Sequence, residues 1–215
     1  MAKKLLLVGG GGHCKSVLDS LLKTSQYKDI AIIDKKENVG KEILGVPIIG
    51  VDEDLLELFQ QGFNHAFVTI GSIGNTTKRR KLFTELERIG FNIPNICDST
   101  AIISDNVTMT KGIYVGKNVV INAGSTIGKG VIINTSSTVE HDCVIDEFVH
   151  IASGSVLCGE VHIGRNTHIG ANSVVKQQVK IGSNSLIGMG SVVLHDIGDN
   201  KLAYGNPCKE AKDFL

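Results

Sequence analysis

The sequence predicts an α/β N-terminal domain with a small Rossmann-like parallel sheet, followed by an all-β parallel β-helix. Three observations carry this. Strand-like apolar runs alternate with helical patterns up to Pro94. From Ile103 to Val193 every sixth residue is apolar, sixteen positions in succession. Four residues after each stands a small or β-branched residue, as at Val107, Ser125, Ser137, Cys143, Ser155 and Ser191. A helix period of 3.6 cannot hold that pattern, and simple alternation would not insert turn residues so regularly.

Taken in order, residues 5–8 form a buried-type strand that runs into Gly9, Gly10, Gly11, Gly12 and His13, then a helical pattern through Val17, Leu18, Leu21 and Leu22. Strand, glycine loop and helix make an anion cradle, because bare backbone N–H groups and the helix N-terminus favour negative charge. The dinucleotide fingerprint GxGxxG is not met, since counting from Gly9 its last position is Cys14. A nucleotide shorter than a dinucleotide fits better. A second strand, 30–33, ends at Asp34, whose carboxylate suits a ribose or sugar hydroxyl and equally suits a plain strand-end turn. Residues 46–49 read as a short strand, 51–60 as an acidic amphipathic helix, and 66–70 as a third buried-type strand ending at Gly71. Asn75 and Thr76 can cap a helix running through Lys78, Arg79, Leu82, Leu86 and Ile89, with Arg79 expected on a solvated face. A ligand crevice is expected at the strand carboxyl ends, where Gly11, Gly12, His13, Asp34 and Gly71 fall.

The hexad register sets in soon after Pro94, so the domains are read as 1–96 and 97–215. In a solenoid each rung buries its apolar row only against its neighbours. The aliphatics therefore point inward, and the Gly- and Asn-containing turns in IGKGVI, IGRNTH, IGANSV and IGSNSL make the bends. After Val193 the tail is expected to leave the register, with a strand and turn around Tyr204, Gly205, Asn206 and Pro207.

Composition excludes other classes. Twenty-two basic and twenty-two acidic residues cancel, with no charge run, so nothing points to nucleic acid or a membrane surface. Five scattered cysteines without CxxC spacing read as reduced thiols. The apolar run in MAKKLLLV is too short for a signal peptide or a membrane span, so a cytoplasmic location is expected.

Within the repeat one hexad stands apart. VEHDCV places His141 between Glu140 and Asp142, where other hexads carry small turn residues. A carboxylate beside an imidazole orients it and raises its pKa, which suits a general base. The repeat is similar to that of left-handed β-helix acyltransferases, whose three hexads make one coil, and this resemblance implies that Gly159 lies one coil beyond His141, leaving room beside the ring and offering an N–H to a developing oxyanion. His150 and His168, eighteen residues apart, should stack at one corner, and His162 and His168 should lie on successive faces as surface residues. Cys143 occupies an inward position, which argues against a cysteine nucleophile.

The repeat resembles the hexapeptide of left-handed parallel β-helix acyltransferases, in which three hexads make one triangular coil. On that resemblance the fifteen hexads from Ile103 to Val192 give five coils. The glycine-histidine loop, the stretch NTSSTVEHDCVIDEFVHIASGSVLCGEVHIG and the GNP tail together resemble bacterial nucleotide-sugar N-acetyltransferases of the bacillosamine and perosamine type, with sialic-acid O-acetyltransferases as relatives. The resemblance implies an acetyl-coenzyme A dependent acetyltransferase of glycan biosynthesis, without a metal. It implies His141 as base with Asp142 in support, and His150, Gly159, Ala171 and Met189 along the coenzyme cleft. Gly11, Gly12, His13, Asp34 and Gly71 would hold the nucleotide-sugar, although TIGSIGN also offers Gly74. It further implies a homotrimer, since His141 and His150, half a coil apart, face opposite sides of the prism and meet only across a subunit boundary. Three alternatives remain at this point: O-acetylation of a sialic acid or related sugar, a zinc hydratase of the gamma carbonic anhydrase type, and a non-catalytic scaffold, which would not explain a nucleotide-type domain fused to the solenoid.

Overall fold

The computed structural model describes residues 3–24 and 26–214. The chain divides into two compact units: Met1–Gly71 with Thr77–Ile96, and Ser72–Thr76 with Cys97–Leu215.

The first unit runs β1 (Lys4–Val8), α1 (Gly12–Leu21), β2 (Asp29–Ile33), β3 (Glu42–Ile43), β4 (Val46–Gly50), α2 (Leu55–Gln60), β5 (His65–Val68) and α3 (Thr77–Ile89). The sheet order is β3-β4-β2-β1-β5, with every pairing parallel except β3 with β4. Leu5, Leu6, Leu7 and Val8 of the central β1 are fully buried, as an unbroken apolar run in a parallel sheet requires. Because β1 has β2 on one side and β5 on the other, the order reverses there, and a crevice opens at the carboxyl ends of β1 and β5. The β3–β4 hairpin was not expected from the sequence. Its turn holds Leu44 at φ 50 and Gly45 at φ 77, and leucine gives no local signal for that conformation.

Arg79 overturns one expectation. It lies on the inward face of α3 with Leu82, Phe83 and Leu86, and is only 3% exposed. The 79, 82, 83, 86 spacing is the core stripe of a helix, and the arginine occupies its first place. The Thr76 hydroxyl, expected to cap α3, bonds Asn166 Oδ1 at 3.0 Å within the second unit.

The second unit is built from two-residue strands paired in parallel with a register of eighteen, as in Ile102↔Val120, Thr108↔Thr126 and Tyr114↔Ile132. Three sheets result, one per face of a prism. From Val115 to Val193 the apolar row of the hexad is buried, and so is the small row from Ile113 to Ser191. Each fully buried aliphatic contributes about 1.5–3 kcal/mol. The inward hydroxyls are satisfied by the backbone fifteen residues on: Ser125 donates to Glu140 O at 2.8 Å, Ser137 to Ala152 O at 2.9 Å, Ser155 to Gly170 O at 2.9 Å. Some also accept, as Ser125 Oγ does from the Cys143 N–H at 3.1 Å. Buried polar groups in an apolar core survive only when paired in this way.

The corners share one conformation. Every sixth residue from Gly112 to Gly190 has positive φ, including Ser136, Asp142, Phe148, Glu160 and Gln178, where the sequence carries neither glycine nor asparagine. The N–H of such a residue donates one coil back, as Asp142 does to Ala123 O at 3.0 Å and Glu160 to His141 O at 2.9 Å. That ladder offsets the roughly 1–3 kcal/mol a left-handed non-glycine residue costs.

The coil also extends past its expected end. Ile197 bridges Ile181, and the strand Lys201–Tyr204 pairs Leu202 with Leu186, so the register shortens to sixteen and wrapping continues after Val193. The Lys180 and Ser183 N–H groups, left over by the shortened turn, are taken by Asp196 Oδ1 and Asp199 Oδ1. An antiparallel strand, Lys209–Asp213, then closes the edge, with Lys201 paired to Asp213 at 2.7 Å.

Candidate active site

His141 sits at the corner between the strands Thr138–Val139 and Val144–Ile145, which belong to different faces. The corner is left-handed at Asp142 (φ 59), and this turns the Asp142 carboxylate toward the ring: His141 Nδ1 and Asp142 Oδ2 are 2.9 Å apart. Both side chains are exposed, at 58% and 62%. A carboxylate only accepts, so Nδ1 carries the proton and Nε2 keeps its lone pair. The Asp142 hydrogen bond, with the charges of Asp142, Glu140 and Glu160, raises the His141 pKa above its ordinary value.

Glycine makes space on both sides of the pair. A Cβ on Gly159 would stand 2.5 Å from His141 Nε2, so the imidazole edge occupies the volume a side chain would fill. A Cβ on Gly124, one coil before Asp142, would strike the Asp142 carboxylate. Among the described residues the Gly159 N–H has no hydrogen-bond partner, and its carbonyl accepts from Gln178 N at 3.0 Å. Glu140 is tied back by Asn122 Nδ2 at 2.8 Å. Cys143 is fully buried; its thiol donates to Cys158 O at 3.2 Å, and burial pushes its pKa up to about 11, which leaves it unreactive.

His150 belongs to the strand His150–Ile151 on the third face, opposite the His141 corner. It pairs in register with His168, and the rings meet edge-to-face at 4.8 Å. The two histidines therefore stack on a face and not at a corner, and His168, expected at the surface, is 7% exposed. His150 is 9% exposed, with Nδ1 2.8 Å from Ser72 O and Nε2 3.5 Å from Asn134 Nδ2. His162 lies on the neighbouring face with Nε2 3.2 Å from Asp146 Oδ2. Among the described residues no group of three or more His, Cys, Asp or Glu side chains is placed to hold a metal ion. Ala171 and Met189 stack at a second corner, where Gly190 N donates to Ala171 O at 2.8 Å, and the Met189 side chain is exposed.

In the first unit Gly9 holds φ +110 against Ile70, and its carbonyl accepts from Thr69 Oγ1 at 2.5 Å. Gly11 and Gly12 have open space where a side chain would point, at the start of α1. A Cβ on Gly71 would lie 3.7 Å from His13 Cβ, which brings Gly71 to the glycine loop. Gly74 packs instead in the second unit, against Phe214 and Leu186. Burial and the nearby Arg79 charge lower the His13 pKa to about 4, so its ring is neutral at ordinary pH. Arg79 itself is lowered by burial to about 9. No sequence signal links His13 to Arg79, since they lie on different helices, α1 and α3.

Asp34 lines a pocket of about 420 Å³ with Gly9, Lys35, Lys36, Val51, Asp52, Glu53, Ile70 and Lys78. Burial would raise the Asp34 pKa, but hydrogen bonds from Asn38 Nδ2 (2.7 Å) and from the Lys35 and Gly10 N–H groups, with the Lys35 charge, outweigh it and keep it ionised. A mixed-charge pocket beside an anion-ready loop suits a nucleotide.

Comparison with known proteins fits both units. Residues 4–86 match the PglD N-terminal domain, 105–129 the hexapeptide repeat of succinyl-transferase, and 160–195 the six-repeat bacterial transferase hexapeptide. A perosamine N-acetyltransferase from Caulobacter crescentus, solved with CoA and GDP-perosamine, matches at 34% identity and a TM-score of 0.92, covering 99% of each chain. The acetyltransferase domain of PglB from Neisseria gonorrhoeae FA1090, solved with acetyl coenzyme A, matches at 33% identity and 0.91, covering 98% of this chain and 100% of that one. WeeI from Acinetobacter baumannii AYE matches at 25% identity and 0.86, covering 98% and 100%. With a third of its residues identical along nearly its whole length, the chain belongs to the hexapeptide-repeat acetyltransferases with a PglD-type N-terminal domain, the family of the Caulobacter and Neisseria enzymes.

Proposed function

We propose that the protein transfers the acetyl group of acetyl-coenzyme A to the amino group of a nucleotide-linked amino-deoxysugar, with His141 as general base. The observation that carries this is the His141 corner: an exposed imidazole fixed by Asp142 at 2.9 Å, its Nε2 edge lying over Gly159. The family relationship and the nucleotide-sugar bound by the Caulobacter relative support the choice of substrates.

In this account the neutral amine attacks the thioester carbonyl, forming the C–N bond as His141 Nε2 takes the proton. Asp142 stabilises the resulting imidazolium. The Gly159 N–H faces the developing oxyanion. As the tetrahedral centre collapses, the C–S bond breaks and the coenzyme leaves as thiolate, which recovers a proton from the imidazolium. The first unit holds the nucleotide through Gly11, Gly12, His13, Asp34 and Gly71. His150, Ala171 and Met189 contact the coenzyme. Because His150 and His141 lie on opposite sides of one prism, the site closes only between copies, in a homotrimer. The enzyme works in the cytoplasm, where acetyl-coenzyme A is available; among the described residues no helix is long and apolar enough to cross a membrane.

The test is thiol release from acetyl-coenzyme A with a panel of nucleotide-linked amino sugars, followed by mass analysis of the acceptor. Acetylation of an amino-sugar nitrogen is expected. Turnover confined to a sialic acid hydroxyl would contradict it.

A further inference from the structure

Between β5 and α3 the chain leaves the first unit after Gly71, places Ser72–Thr76 in the second unit, and returns at Thr77. This short strap is held at three points. The Ser72 carbonyl lies 2.8 Å from His150 Nδ1. Gly74, at φ +73, packs so closely that a Cβ there would strike the Phe214 ring. Thr76 Oγ1 donates to Asn166 Oδ1 at 3.0 Å. From there the bonds continue one way along a corner of the prism, Asn166 Nδ2 to Asn184 Oδ1 at 2.9 Å and Asn184 Nδ2 to Asn200 Oδ1 at 3.1 Å. Bonds that all run in one direction reinforce one another. Ser72 and Thr76 are both buried, and among the described residues the Ser72 hydroxyl has no hydrogen-bond partner, so it is not the Ser72 side chain that fixes the strap.

These bonds set the state of the His150 ring. A carbonyl only accepts, so Nδ1 carries a proton. On the other side Asn134 Oδ1 accepts the Thr135 N–H at 3.2 Å, which turns Nδ2 of the same amide toward His150 Nε2 at 3.5 Å. An amide nitrogen only donates, so Nε2 is the acceptor. We propose that the strap, anchored by Thr76, locks His150 as its Nδ1–H tautomer and so presents Nε2 to the coenzyme as a hydrogen-bond acceptor. Thr76 is then a positioning residue that acts through the Ser72 carbonyl and His150. This rests on the coenzyme contact of His150 proposed above and names the bond that makes it. The thioester and phosphates of acetyl-coenzyme A only accept, whereas the pantetheine amides donate, so the match for Nε2 is a pantetheine N–H. The Asn134 contact is long for a hydrogen bond, and a ligand donor can take its place.

The ring state is read directly from long-range proton–nitrogen spectra of the intact protein labelled in its histidines, with His150 assigned by its absence in His150→Gln. Wild type should show His150 as Nδ1–H, and so should Thr76→Ser, which keeps the hydroxyl. Thr76→Val keeps the shape and removes the donor; it should show both tautomers. Its Kd for coenzyme A, by titration, should rise about two- to tenfold, the size of one hydrogen bond. KM for acetyl-coenzyme A should rise likewise, while kcat and the KM for the nucleotide sugar stay within about twofold. An Nε2–H ring in wild type would overturn the strap's role, as would a Thr76→Val protein that matches wild type in either its His150 spectrum or its coenzyme affinity. Both outcomes leave the proposed activity standing. A wild type with the Nδ1–H ring that binds no coenzyme A would instead overturn the coenzyme contact of His150.

Discussion

His141 and Asp142 form the smallest unit of the proposed chemistry, and their pairing makes a signed prediction. The Asp142 hydrogen bond raises the His141 pKa, and only the neutral ring is a base. Activity should therefore climb with pH through a value above the ordinary 6.5 and then level off. In Asp142→Asn the rise should shift to lower pH, because the stabilising charge is gone. The plateau should drop about tenfold or more, because the ring loses its fixed orientation. A pH profile of kcat/KM for both proteins checks this; coincident profiles would remove Asp142 from the mechanism. His13, whose pKa burial lowers to about 4, contributes no inflection in that range.

The hexad ladder shows what sequence can and cannot reveal. The inward rows were legible because a period of six repeats both the aliphatic and the small position, and burial leaves no choice about which side they face. The left-handed corners at Asp142, Phe148, Glu160 and Gln178 were not legible. Their conformation is imposed by hydrogen bonds from the coil before, and no local residue preference announces it. The same holds for the tail, where Asp196 and Asp199 substitute for a missing turn, and for Arg79, a charged residue in a core stripe. The VEHDCV hexad drew attention to His141 and Asp142 through composition alone; their 2.9 Å contact needed the corner geometry. The ladder also predicts a cost for breaking it. Ser125 both donates to Glu140 O and accepts from Cys143 N, so Ser125→Ala orphans a buried N–H and a part-buried carbonyl. Denaturant unfolding should show a loss of about 1–3 kcal/mol. No loss would mean that water or repacking replaces the hydroxyl.

For the molecule as a whole, His141 and His150 lie on opposite sides of the prism, so in the proposed homotrimer activity would be a property of the assembly. Co-expressed His141→Ala and His150→Ala chains should recover up to about a quarter of wild-type sites by random mixing, although each variant alone is impaired. Absence of recovery in verified mixed trimers would place both residues in one subunit's site. The decisive quantity remains the turnover number of His141→Ala with both substrates saturating. The ring is exposed and packs over a bare glycine, so its removal should leave thermal stability unchanged. If His141 is the base, kcat should fall at least roughly a hundredfold, the lower end of general-base effects. A fall of less than about tenfold in the folded variant would show that another group takes the proton.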